Sequence, residues 1–256
     1  MFIRRWRRRR HEARTGERLP RDWWGVGLDF LIVVVGVYLG IALGNWNERQ
    51  QQKQLERDYL ERIRDDLSRA AAGADRQADT FADHAVMYED MMVALEACEL
   101  GGAVSEDRFA FALWRVGKIN RPPLFGATLE ELVSSGQMQL VSDPSLREAL
   151  VTLVAEVRGA DSTYEQINRR VLPYTNYIEQ RIRMRAPNDN SGVDFEAGTF
   201  DADLVDFDFG SFCADPLFLG AASGLRHSSG FLEIISRGYA RDYGRTVAAL
   251  DAALGE

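Results

Sequence analysis

The chain has 256 residues, of which 46% are hydrophobic and 27% charged, a composition that excludes an intrinsically disordered protein and suits one globular domain. The net charge of -8 is unevenly divided: residues 1–22 hold nine arginines and three acids, a net of +6, so the other 234 residues carry -14. Only one stretch approaches the roughly 20 apolar residues that cross a bilayer, which excludes a multi-span membrane protein.

That stretch is residues 23–46, WWGVGLDFLIVVVGVYLGIALGNW, in which Asp29 is the only charged residue and tryptophans stand at both ends. Tryptophan is enriched at the two membrane interfaces. A helix of this length spans roughly 33 to 36 Å, enough to cross a bilayer. The sequence therefore predicts a basic tail at 1–22, a transmembrane helix at 23–46 and a separate domain at 47–256.

The arginines before the transmembrane helix predict its orientation. Residues 47–66 hold five basic and six acidic side chains, so the positive charge is concentrated upstream. The positive-inside rule then predicts a bacterial inner-membrane protein with a cytoplasmic N-terminus and a periplasmic domain. The alternative is a signal peptide cleaved near Ala42-Leu43-Gly44, but the long tail and Trp46 favour an anchor. RRWRRRR also resembles a nucleic-acid-binding run, yet contact with anionic lipid explains it, so we expect a lipid bilayer and no nucleic acid as partner.

Three glycines in the predicted anchor suggest helix packing in the membrane. Gly36, Gly40 and Gly44 form two overlapping GxxxG steps, which let two helix backbones approach closely. Asp29 lies seven residues before Gly36, about two turns, and falls on the same face. We expect this face to contact a second copy of the chain, as a homodimer, or another membrane protein. In the alternative, the glycines only reflect the composition of membrane helices and the Asp29 side chain reaches the headgroups.

The domain at 47–256 is predicted to be all-α. Apolar residues recur at a 3-4 spacing from Leu60 to Cys98, which indicates a long stalk helix that continues the anchor. Two alternatives are packing in a helical bundle and a loose dimer stalk; we favour the bundle. The other predicted elements are a helix opening at Ser105, a capping box at Thr128-Leu129-Glu130-Glu131, a helix at 145–185 kinked at Pro173, a loop at 186–215, and helices at 216–225 and 229–254.

Two sequence features resemble an uncharacterised bacterial family of membrane-anchored proteins. One is Trp46-Asn47-Glu48 at the outer end of the predicted anchor, and the other is the later run LEELVSSGQMQLVSDPSLREAL. Members of that family usually have Glu at the position of Asp29. The resemblance implies a membrane location and a helical external domain. It implies no known activity, ligand or catalytic residue.

The remaining candidate site residues are few. Cys98 and Cys213 are predicted to form a disulfide, because both fall on the oxidising side; the alternative is two buried thiols. No close-spaced metal ligands occur, since His84 and His227 each lie 14 residues from a cysteine. GxSxG, Ser-x-x-Lys, HExxH and phosphate-loop motifs are absent from the sequence, so we expect no enzyme, no metal and no cofactor. The acids at 194–208 could accept calcium, but their spacing favours a solvated loop.

A basic aromatic stretch gives the last candidate. It runs from Tyr164 to Arg185, and its candidate ligand-binding residues are Arg169, Arg170, Tyr174, Tyr177 and Arg181. These residues either line a pocket for an anionic ligand or pair with the acidic loop that follows, and we favour pairing. The sequence thus predicts a membrane-anchored periplasmic protein for interaction or scaffolding. The alternative is a ligand-sensing module that acts through a partner membrane protein.

Overall fold

A computed structural model describes residues 23–117, 121, 125–185, 193–194, 199–200 and 202–255. Of these residues 84% are helical, so the all-α prediction is confirmed. The helices are α1 (Trp23–Ala97), α2 (Glu106–Arg115), α3 (Ala127–Ser134), α4 (Pro144–Glu179), α5 (Phe209–Cys213) and α6 (Pro216–Leu254), with 3₁₀ turns at Gln137–Leu140 and Ala202–Leu204. Among these residues, two antiparallel strand pairs occur: β1 (Arg183–Met184) with β4 (Val205–Asp206), and β2 (Val193–Asp194) with β3 (Thr199–Phe200).

The chain divides into two compact units, Met1–Lys53 and Gln54–Glu256, and α1 contributes to both. Within the described residues, α1 is the one helix long and apolar enough to cross a membrane, and none of its most apolar window is buried. The predicted tail at 1–22 lies outside the described residues.

The second unit contains two cores. Core 1 is built around Phe81 and Met91 of α1, with α2, α5, the C-terminal half of α4 and the N-terminal half of α6. Core 2 is built around Ile63 and Leu67 of α1, with α3, the N-terminal half of α4 and the C-terminal half of α6. Along the chain, α1 and α4 therefore contribute first to core 2 and then to core 1, whereas α6 contributes first to core 1 and then to core 2. The 3-4 stripe of α1 is buried in these cores, as its spacing suggests.

Side-chain caps explain where the helices begin. The Ser105 hydroxyl accepts a hydrogen bond from the Arg108 amide and opens α2. Asp143 accepts from the amides of Ser145 and Leu146 at the start of α4, and Pro144 takes the first helical position. Both starts agree with the sequence, because these residue types satisfy amides that have no partner inside the helix. α4 continues through Pro173 but ends at Glu179, not at 185.

The predicted capping box at Thr128 is wrong. α3 begins at Ala127 after Gly126, and the Thr128 amide and hydroxyl donate to Asp66 Oδ2 at 3.2 and 2.7 Å instead. A carboxylate from α1 has replaced the local cap. The hydrogen bonds from Thr128 and the charge of Arg69 outweigh the burial of the Asp66 carboxyl and lower its pKa on balance.

The C-terminal region also departs from the sequence prediction. α6 is a single helix where two were expected. Within it, the Ser228 hydroxyl donates to the Gly224 carbonyl at 2.8 Å, and both Ser228 and Ser229 are buried. Tertiary packing thus overrides the low helix propensity of this run. The region expected as a loop at 186–215 holds α5 and three of the short strands, as far as it is described.

Candidate functional site

The predicted membrane segment is the most exposed apolar part of the described chain. Between 28 and 46, thirteen large apolar residues are 45 to 71% exposed, with Phe30 and Tyr38 at the upper limit. A Cβ added at Gly36, Gly40 or Gly44 would meet no atom within 4 Å, so this face of α1 is open. The side chain of Asp29 lies outside the described part of the structure. Trp46 is exposed, as are Asn47 and Glu48.

The two cysteines lie together. Cys98 follows the end of α1 and Cys213 ends α5, and the structure pairs them with Cα atoms 5.5 Å apart. Their expected proximity is confirmed. Cys98 has a φ of +50°, a left-handed backbone angle that is uncommon outside glycine. The pair fastens the chain just before α6 to the end of α1 beside core 1.

The basic aromatic stretch of α4 is largely engaged within the chain. The Tyr177 hydroxyl donates to Asp215 Oδ2 at 2.6 Å, and Arg181 Nε lies 3.4 Å from the same oxygen. The Arg181 guanidinium also lies over the Tyr177 ring, 3.6 Å from its centroid. The shared hydrogen bond raises the pKa of Tyr177 and lowers the pKa of Asp215. Asp215 thus stands where a ligand anion would bind these two residues.

The rest of that stretch contributes little to a pocket. Arg169 Nε donates to the Glu165 carbonyl at 3.5 Å, and Arg170 is exposed. Tyr174 packs against α6 at Gly224, where an added Cβ would lie 2.5 Å from the ring. Of the five residues, Tyr177 and Arg181 contact an acid of the segment 186–215, Asp215, as pairing with that segment predicts. For Arg169, Arg170 and Tyr174, pairing with that segment stays a prediction.

A cleft between α1 and α2 is a stronger candidate site. Its volume is about 890 Å³, which is within the range of ligand pockets in proteins. Charged and apolar side chains share its walls. The lining residues are Thr80, Asp83, His84, Val86, Met87, Ser105, Asp107, Arg108, Phe111, Arg115 and Phe200.

His84 and Arg115 form the polar centre of this cleft. His84 is only 4% exposed, and its Nε2 accepts hydrogen bonds from Arg115 Nε at 3.2 Å and Nη2 at 2.7 Å. Burial, and then the charge of Arg115, lower the pKa of His84 to about 4. The ring is therefore neutral at pH 7 and carries its proton on Nδ1. It orients the guanidinium without neutralising its charge.

Aromatic rings form one side of the cleft. Phe111 lies 5.3 Å from Phe200 between ring centroids, in an edge-to-face contact, and stacks on Trp114 at 6.0 Å. Phe111 belongs to α2, and Phe200 belongs to β3. An apolar wall thus stands in the same cleft as a half-buried cation.

This pair was not predicted from the sequence, although one signal was present. His84 interrupts the apolar stripe of α1, and a polar side chain at a buried position needs a hydrogen-bond partner. Its partner lies 31 residues away, at the end of α2, where no local pattern identifies it.

Other candidate sites are weaker. A more open cleft of about 430 Å³ between α4 and α6 is lined by Glu148, Glu156 and Asp242, and its Arg245 is paired with Asp242. In the described part of the chain, no group of three or more His, Cys, Asp or Glu side chains is arranged to hold a metal ion. Comparison with family models, with curated proteins and with solved structures found no match.

Proposed function

We propose that this chain is a single-pass inner-membrane protein whose helical second unit serves protein interaction or scaffolding in the periplasm. The exposed apolar segment at 28–46 carries the proposal. Burial of one large apolar side chain is worth about 1.5 to 3 kcal/mol, and soluble proteins rarely expose apolar patches larger than about 400 Å². Thirteen such side chains on consecutive turns need an apolar solvent.

The orientation rests on charge and on the cysteines. The nine arginines before residue 23 favour a cytoplasmic N-terminus. The pairing of Cys98 with Cys213 supports an oxidising compartment for the second unit, because disulfides persist there and not in the cytoplasm.

Reporter fusions after Glu256 test this topology. Alkaline phosphatase is active only when exported, and green fluorescent protein exported through the same route does not fluoresce. We expect an active phosphatase fusion and a dark fluorescent-protein fusion. A fluorescent fusion with an inactive phosphatase would reverse the topology and overturn the periplasmic assignment.

We further propose that the glycine face of α1 pairs two copies of the chain. Small residues at this spacing let helix backbones meet in lipid, and the space around Gly36, Gly40 and Gly44 is open. Gly40→Leu should reduce crosslinked dimer in membranes at least several-fold. Ala42→Leu enlarges a small residue on nearly the opposite side of the helix and should leave the dimer unchanged. Equal effects of the two substitutions would remove the glycine face as the contact.

A row of exposed side chains on α6 supports an interaction role for the second unit. Leu217, Phe231 and Ile234 are 66, 45 and 65% exposed, and their spacings of 14 and 3 residues place them on one face. We propose that this row contacts the second copy. A photo-crosslinking residue at position 234 should capture a dimer, whereas the same residue at position 151, exposed on α4, should not. Capture at both positions, or at neither, would contradict this contact.

Ligand sensing is the second candidate function, and the cleft at His84 and Arg115 favours it. In this proposal, a bound ligand acts through a partner membrane protein. The chemistry of the cleft indicates which ligand it suits.

A further inference from the structure

Arg115, in the cleft between α1 and α2, has more N–H donors than it uses in its contact with His84. A guanidinium carries five N–H groups, and Arg115 directs Nε and Nη2 at the single acceptor nitrogen of His84. Among the described residues, no carboxylate forms an ion pair with Arg115, although Arg108 in the same cleft is paired with Asp90. Arg115 is thus a positioned, half-buried cation whose outer edge has no acceptor within the described chain.

The charges around Arg115 limit which anion would bind. Asp83 and Asp107 also line the cleft, and the charge of Arg108 is already balanced by Asp90. One cation beside two carboxylates repels a dianion such as hydrogen phosphate more strongly than a monoanion. A planar monoanion that meets the guanidinium edge with two oxygens fits better, because the fork of arginine matches a carboxylate.

The other walls of the cleft favour a ligand with an apolar or aromatic body. Val86, Met87, Phe111 and Phe200 present apolar and aromatic surface in the same cleft. A volume of about 890 Å³ accommodates a small organic molecule and not only an ion.

We infer that this cleft binds a small monocarboxylate with an apolar or aromatic body, whose carboxylate is held by Arg115. His84 acts as a positioning residue that fixes the guanidinium from behind while remaining uncharged. The site deepens the ligand-sensing candidate and rests on different residues from the basic aromatic stretch of α4. It depends on neither the membrane anchor nor the glycine face.

Calorimetric titration of the full chain in phosphatidylcholine nanodiscs at pH 8, where inorganic phosphate is largely a dianion, tests the site. The probes are phenylacetate, its neutral amide phenylacetamide, and inorganic phosphate. We expect phenylacetate to bind, and both the amide and phosphate to bind at least about tenfold more weakly. The amide lacks the negative charge that pairs with the guanidinium, and the phosphate dianion is repelled more strongly by the two carboxylates. An amide that binds as tightly as the acid, or phosphate that binds more tightly, would overturn the inference.

Two variants and a control locate the binding. Arg115→Gln should weaken phenylacetate binding at least about tenfold, and Phe111→Ala should weaken it several-fold while leaving Arg115 and His84 in place. The control Arg226→Gln removes the same charge from an arginine paired with Glu89 outside the cleft, and should change the affinity less than twofold. Equal losses in Arg115→Gln and Arg226→Gln would assign the binding to general charge and overturn the site.

Loss of folding and loss of binding are measured separately. Circular dichroism shows whether Arg115→Gln is folded; if it is not, the comparison of acid with amide on the natural chain decides. No heat with phenylacetate, indole-3-acetate or hexanoate would refute the carboxylate site. That result would leave the topology and crosslinking experiments standing, so failure of the site is distinguishable from failure of the anchor proposal.

Discussion

One helix, α1, holds leucines in two opposite situations. Leu39 is 52% exposed, whereas Leu67 is fully buried in core 2. Around Leu39, between residues 28 and 46, apolar side chains cover every face of the helix. Around Leu67, between 60 and 95, the buried apolar side chains follow a single stripe. Most residues on the remaining faces are polar or small, and Val86 and Val93 are the exposed large apolar exceptions.

The difference shows that the distribution of apolar side chains around a helix, and not their number alone, decides what surrounds the helix. A stripe can be buried by neighbouring helices, and α4 and α6 bury this one. A helix that is apolar on all sides would need neighbours on all sides, and none of its large side chains between 28 and 46 is buried. The second segment therefore lies in the protein core, whereas the first is suited to lipid, as we propose above.

Charges placed in the first segment should give the largest effect. Val34→Lys combined with Val35→Lys puts two ammonium groups near the centre of the predicted span. Each costs about 2.5 to 3.5 kcal/mol at that depth, so the pair should oppose insertion by about 5 to 7 kcal/mol. We expect most of the chain to leave the membrane pellet after alkaline extraction.

The control places the same charges on exposed apolar sites of the second unit. Val151→Lys combined with Leu172→Lys should leave membrane retention unchanged, because these side chains already face solvent at 49 and 48% exposure. Retention of the Val34 and Val35 variant at the natural level would break the contrast between the two segments.

Reduction of the disulfide should give the next largest effect. The bond joins residues 115 positions apart, for which chain entropy predicts a stabilisation of about 4 to 5 kcal/mol. A reducing agent should therefore lower the urea midpoint of the second unit without releasing the chain from membranes. Cys98→Ala combined with Cys213→Ala should be insensitive to the reductant. An unchanged midpoint for the natural chain would mean that the bond does not stabilise this unit.

Matched leucine truncations compare the two segments directly. Leu67→Ala opens a cavity in core 2 and should lower the free energy of unfolding by about 2 to 5 kcal/mol. Leu39→Ala should change it by less than about 0.5 kcal/mol, because exposed positions tolerate truncation. Urea titration monitored by circular dichroism measures both. Similar losses would indicate that the first segment is also packed against protein.

The pH dependence of His84 gives the smallest of these effects. Its pKa is about 4 in the folded chain and returns to its ordinary 6.5 on unfolding, so the unfolded chain binds the extra proton first. Stability should therefore fall as the pH drops from about 6.5 to 4, by about 3 kcal/mol in total, and change no further through this group below pH 4. His84→Gln should lack this component. Parallel pH profiles of the two proteins would show that His84 is not buried as described.

The sequence was most informative where structure depends on neighbouring residues. The stripe of α1 follows from its 3-4 spacing, and Ser105 and Asp143 cap helices where their residue types suggest. Each depends on residues within a few turns, so a local pattern records it. The proximity of Cys98 and Cys213 was inferred from another kind of constraint, since both cysteines were expected in one oxidising compartment.

Contacts between distant residues were not predictable in this way. Thr128 looked like a cap, but its hydroxyl is used by Asp66, 62 residues earlier. In the sequence, His84 only interrupts the apolar stripe of α1, but in the structure it accepts hydrogen bonds from Arg115. No periodicity identifies such partners, because only the packing of α1 against α2 and α3 brings them together. The strongest candidate site therefore became visible only in three dimensions.

The link between Cys98 and Cys213 also bears on how the protein survives proteolysis. The residues between them, which include α2 to α5, form a covalently closed ring. A protease that cuts once inside this ring opens it without separating the pieces, so α6 stays attached to α1. Cleaved chains should run as two fragments only after reduction, and a single cut would leave a tethered, two-chain form of the same molecule.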